Sequence, residues 1–172
     1  MILSIDLASH KTGYALFTDT GELEEHGLFI LEGENAERYK DLFDKLSFYL
    51  ECNPLVNQIV LEGFTVQSNF GLRSPTILCT LHGVLYGLCW SKGLEIKKYK
   101  SKEWRDLVNI YGDGPKNIKR DEIKQRAVAL ANKQFGTEFQ YFKRDTKNNV
   151  SDDDIAEAVL LGWAYFLERG EF

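Results

Sequence analysis

Four acidic side chains stand out by the company they keep. Asp6 follows the apolar run Met1-Ile-Leu-Ser-Ile, and Glu62 ends a second one, Gln58-Ile-Val-Leu-Glu62-Gly63. Asp154 and Glu157 sit in the opening of the last helical stretch, Ser151-Asp-Asp-Asp154-Ile-Ala-Glu157. Carboxylates are rarely buried without a partner. A donor set made only of oxygen selects hard cations such as Mg²⁺ or Mn²⁺. Two such ions about 4 Å apart suit in-line attack at phosphorus, one activating water and the other stabilising the leaving oxygen. Phosphodiester hydrolysis is the chemistry implied, provided that the fold brings the four acids together.

The elements that must do this are legible as patterns. Residues 2 to 8 alternate, with Leu3, Ile5 and Leu7 on one face of a strand and Ile2, Ser4 and Asp6 on the other. A polar turn closed by Thr12 and Gly13 follows, then strands over Tyr14 to Thr18 and Gly21 to Leu31 around Thr18-Asp-Thr-Gly21. Asn35 is placed to cap a helix in which Tyr39, Leu42, Phe43, Leu46, Tyr49 and Leu50 recur at helical spacing. The run ending at Glu62 reads as a strand buried on both faces, and ligands in open α/β sheets gather at such strand ends.

Phe64 to Arg73 is a polar and aromatic loop, and Ser74-Pro75 then predicts an N-cap with proline at the first helical position. The helix to about Ser91 is apolar on most sides, with Gly83 and Gly87 four apart, which predicts burial in the core or at a subunit interface. Leu94 to Tyr99 reads as a strand, Ser101 to Ile110 as a short helix and Lys119 to Phe135 as a long one. In the last helix, Ser151 with Asp154 three residues on predicts a capping pair. Capping explains Asp152 to Asp154 but leaves Glu157, which shares a side of the helix with Asp153 and Asp154.

At 172 residues, 44% hydrophobic and 27% charged, the chain suits one folded domain. No stretch approaches the roughly 20 apolar residues of a membrane span, and the first 30 residues lack a signal-peptide pattern. Cys52, Cys79 and Cys89 have no metal-site spacing and point to reduced thiols in a cytoplasm. The net charge of -5 is unevenly spread: residues 97 to 147 hold 14 Lys+Arg against 7 Asp+Glu, the rest 7 against 19. A basic segment in an acidic chain can still be a phosphate-contacting face.

Three segments together resemble a known family. Ile5-Asp6 with Thr12-Gly13-Tyr14-Ala15, Ile59-Val60-Leu61-Glu62-Gly63-Phe64, and Asp153-Asp154-Ile-Ala-Glu157-Ala158 look like the three acidic motifs of RuvC-type Holliday junction resolvases, in the same order and at matching intervals. The short format is most similar to phage-encoded members, whose place is the host cytoplasm. The resemblance implies a ribonuclease H-like α/β fold over residues 1–172, with a mixed five-stranded sheet flanked by helices on both faces. It also implies a homodimer that cuts two strands of a four-way DNA junction using Mg²⁺ or Mn²⁺, two ions per site, without a nucleotide cofactor.

The family's metal-binding acids carry over to Asp6, Glu62, Asp154 and Glu157. Glu157 departs from the family's usual Asp; its extra methylene moves the carboxylate about 1.5 Å, and Asp153 is the substitute ligand. The family's catalytic-face lysines map to Lys116-Asn-Ile-Lys119-Arg120, with Lys119 favoured and Arg120 beside it. The base-stacking aromatic maps to Phe64 or Phe70, with Arg73 a further DNA contact. Other readings keep the acids but change the use: a nuclease of this fold for RNA–DNA hybrids or flaps, or a junction-binding module without catalysis. An actin-like kinase or ATPase needs a second phosphate loop and roughly twice the length.

Overall fold

The computed structural model describes residues 1–34, 36–63, 73–115, 118–146 and 149–171, with the side chains of Arg73 and Ser74 left aside. The chain opens as an antiparallel meander of β1 (Ile2–Asp6), β2 (Lys11–Phe17) and β3 (Leu23–Ile30). Helix α1 (Ala36–Cys52) crosses over to β4 (Gln58–Glu62), which lies parallel to β1. Helix α2 (Arg73–Ser91) leads to β5 (Glu95–Tyr99), parallel to β4. The sheet order is β3-β2-β1-β4-β5, the expected mixed five-stranded sheet. Three helices follow: α3 (Ser101–Leu107), α4 (Arg120–Phe135) and α5 (Asp153–Arg169).

Alternation along β1 assigns the two faces as the sequence predicts. Leu3, Ile5 and Leu7 pack with Leu42, Leu46 and Leu50 of α1 and Leu81, Leu85 and Leu88 of α2. Ile2 joins Trp104 of α3, Ala127 and Ala131 of α4, and Val159 and Phe166 of α5 on the other side. Helix α5 seats directly on the sheet because two glycines leave room. A Cβ on Gly13 would stand 1.9 Å from the Asp154 carbonyl oxygen, and one on Gly162 2.3 Å from Phe17. Ser4 then donates its hydroxyl proton toward the Ala158 carbonyl at 2.7 Å.

Several local expectations give way to tertiary contacts. Thr12 and Gly13 belong to β2 and not to the turn, although the Thr12 hydroxyl closes that turn on the Ala8 carbonyl at 3.1 Å. Helix α2 begins at Arg73, so Ser74 is inside it rather than capping it. Among the described residues, only one side of α2 is covered: Trp90 is 73% exposed, and nothing approaches a Cβ at Gly83 or Gly87 within 4 Å. Ser151 does not cap α5. Asp152 takes the N-cap position without a side-chain cap bond, while the buried Ser151 hydroxyl accepts from the Phe142 amide. The capping expectation for Asn35 lies outside the described residues. Cys52, Cys79 and Cys89 are free thiols, and among the described residues no helix is long and apolar enough to cross a membrane.

Candidate active site

Register alone makes Asp6 and Glu62 neighbours. Ile5 pairs with Leu61 across the parallel β1–β4 seam, so the next residue on each strand, Asp6 and Glu62, ends it side by side. On the other side Asp6 pairs with Gly13, the residue on which the first turn of α5 rests. Asp154 and, one turn on, Glu157 are thereby brought over the end of β1. Asp6, Asp154 and Glu157 each offer a carboxylate oxygen, all within 4.8 Å of one another. Glu62 is held by other partners: one oxygen accepts the Ser101 hydroxyl and the other the Trp104 indole N–H at 2.6 Å.

Crowded acids in a sparsely hydrated place resist ionisation. Burial holds the Asp6 carboxyl well above its ordinary range, with the charges of Glu157, Glu62 and Asp154 pushing the same way and Lys124 opposing. Asp154 is raised by burial and by Asp153 against the pull of Lys124. Glu157 is raised by burial, offset in part by Arg105 and Lys124. A divalent cation among these oxygens would relieve the repulsion. The donor chemistry, all carboxylate on partly buried side chains, fits Mg²⁺ or Mn²⁺.

Two cations are already built in. Lys124 of α4 pairs with Asp153 and reaches Asp154 at 3.3 Å; burial disfavours its charge, but the carboxylates outweigh that and its affinity for a proton rises. Arg105 of α3 donates to Glu157 at 3.1 Å. Lys119, the basic residue the family resemblance favours, stands exposed at the N-cap of α4, with Arg120 exposed in the first turn. The lysine that reaches the acids is more than a turn further along. Its signal was available: Lys124 leads the buried stripe Ala127, Val128 and Ala131, a lysine where an apolar residue is expected. Asp153 is only 6% exposed and is committed to Lys124 rather than to the three-acid group. Phe64, Phe70 and Lys116, and the side chain of Arg73, lie outside the described residues.

No family model matches the chain, and no curated protein matches it in sequence. Solved structures do. A Thermus thermophilus RuvC in complex with Holliday junction substrate superposes with a TM-score of 0.69 at 11% identity, covering 99% of this chain and 96% of that one. The fold is that of the RuvC-type resolvases. A second T. thermophilus RuvC structure gives 0.65 at 13% identity over 98% and 96% of the two chains. The yeast mitochondrial Holliday junction resolvase Ydc2 gives 0.60 at 13% identity over 99% of this chain and 79% of that one. The ribonuclease H-like sheet expected from the sequence is thus present, and it places the three-acid group at the carboxyl end of its central strand.

Proposed function

We propose that the chain is a divalent-cation-dependent endonuclease that resolves four-way or other branched DNA junctions. The observation that carries this reading is the group of Asp6, Asp154 and Glu157 oxygens within 4.8 Å of one another at the end of the central strand. The RuvC-type fold supports the choice of substrate, since one neighbour was solved on a Holliday junction substrate and another is a Holliday junction resolvase.

Bound among these acids, Mg²⁺ or Mn²⁺ supplies activation of water and stabilisation of charge on the leaving oxygen. The chain's own part is to hold and to compensate. Asp6, on the rigid end of β1, is central to the ligand set, with Asp154 and Glu157 on one side and Glu62 on the other. Lys124 offsets part of the charge on Asp153 and Asp154 before a cation or phosphate arrives. The exposed Lys119 and Arg120, near the positive end of α4, bind DNA phosphates, with Phe64, Phe70, Arg73 and Lys116 as further contacts. The chain works as a homodimer, with the side of α2 that the described residues leave open in the interface, so that two sites face two strands; light scattering showing a monomer at micromolar concentration would contradict this part.

The test is a cleavage panel in Mg²⁺ and in Mn²⁺ with a four-way junction, a flap, a linear duplex and an RNA–DNA hybrid. Junction cutting well above the other three is expected. Preference for the hybrid or flap moves the chain to another nuclease of the same fold, and binding of junctions without any cutting makes it a binding module.

A further inference from the structure

Helix α3 has no part in the four-acid pattern, yet it touches two of its members. Ser101 and Trp104, three residues apart on one side of the helix, donate to the two oxygens of Glu62. Arg105, next to Trp104, donates to Glu157. Trp104 is fully buried in the core, so its ring is fixed by packing and its indole N–H must find an acceptor where it stands. The acceptor it finds is Glu62, 42 residues away in sequence.

We propose that Ser101 and Trp104 are positioning residues for Glu62, so that α3 sets the plane and reach of the fourth carboxylate of the metal site. The inference rests on the metal-dependent reading given above. A carboxylate offers about four lone-pair sites, so one donor on each oxygen leaves capacity for a cation. Glu62 ends a strand, where its side-chain torsions would otherwise be free. Two donors on a packed helix remove that freedom and hold the carboxylate beside the group of Asp6, Asp154 and Glu157 at a fixed stand-off. Outer partners of this kind govern metal affinity through the ligand they hold. The arrangement gives the site two kinds of ligand: three acids that converge on their own elements, and one whose approach depends on α3.

The experiment is Mn²⁺ binding to DNA-free protein, read from the electron paramagnetic resonance signal of free Mn²⁺. Wild type, Ser101→Ala, Ser101→Thr and Trp104→Phe are compared with Glu62→Gln. Ser101→Ala and Trp104→Phe are expected to weaken Mn²⁺ binding about 10- to 100-fold, Ser101→Thr to restore it by keeping the hydroxyl, and Ser101→Ala to add nothing in the Glu62→Gln background. Should Trp104→Phe fail to melt cooperatively, Ser101→Ala and its rescue decide alone. Wild-type affinity in Ser101→Ala, or the same loss from it in the Glu62→Gln background, overturns the positioning role while leaving the nuclease reading intact. Absence of Mn²⁺ binding by wild type overturns both.

Discussion

The two faces of the sheet are built from the same strands and do opposite work. On one, Leu3, Ile5, Ile59 and Leu61 meet α1 and α2 in a buried cluster of aliphatic side chains with Phe29, Tyr49 and Cys89. On the other, the residues between them in sequence include Ser4 and Asp6 on β1 and Glu62 on β4, and the helices bring Asp153, Asp154, Glu157, Lys124 and Arg105 to meet them. Both faces bury apolar side chains, Phe17, Val60, Trp104 and Phe166 among them on the second, but only the first is apolar to the strand ends. The second carries like charges that oppose folding until a cation joins them, and its helix α5 needs two glycines and the Ser4 hydroxyl to sit close enough. A period of two along β1 therefore puts the acids on one face only, at its end, while Ile2 and Val60 of that face still join an apolar core.

Substitutions on the two faces should part company accordingly. The largest loss of stability is expected from Lys124→Met, which leaves Asp153 and Asp154 without their cation: about 3–5 kcal/mol in urea unfolding, as for other broken buried pairs, partly recovered by adding Asp153→Asn. Leu46→Ala on the apolar face should cost about 2–5 kcal/mol yet leave cleavage per folded molecule unchanged, since Leu46 is fully buried against strands whose other side carries the acids. Asp6→Asn should act in the reverse sense. By removing a crowded charge it should raise the melting temperature of metal-free protein by a few degrees, and Mn²⁺ should raise that of wild type but not of the variant.

The smallest effect is in pH. The carboxyls of Asp6, Asp154 and Glu157 are raised in the folded chain above their ordinary values of 3.8 and 4.5, so the folded state holds protons that the unfolded state has released. Their contribution to stability is therefore present at low pH and lost as pH rises above the ordinary carboxylate range toward neutrality. Melts of metal-free wild type across that range should show the decline, and Asp6→Asn should flatten it. A flat profile in wild type would mean that neither burial nor crowding raises these carboxyls in the folded chain.

Much of this arrangement is written locally. The alternation in β1, the apolar run into Glu62 and the acids ahead of a helical stripe single out Asp6, Glu62, Asp154 and Glu157 as candidates without any structure, because each depends on its own few neighbours. What the sequence does not carry is pairing across elements. Ser151 and Asp154 have capping spacing, but the Ser151 hydroxyl is taken by the Phe142 amide and Asp154 is drawn toward Lys124. Lys119 sits where a helix-start cation is expected, whereas Lys124 reaches the acids because α4 packs against α5. The hold of Ser101 and Trp104 on Glu62 spans some 40 residues and has no local signal.

If the acid group cuts branched DNA through a bound divalent cation, Asp6 must separate cutting from binding. A labelled four-way junction is incubated with wild type or Asp6→Asn in Mg²⁺ under single-turnover conditions, with binding recorded in parallel. Wild type is expected to cut the junction, and Asp6→Asn to bind it equally well while cutting at least about 1,000-fold more slowly, a loss of roughly 4 kcal/mol in transition-state stabilisation. Cutting by Asp6→Asn at the wild-type rate, or an intact junction under saturating wild type, would contradict the account.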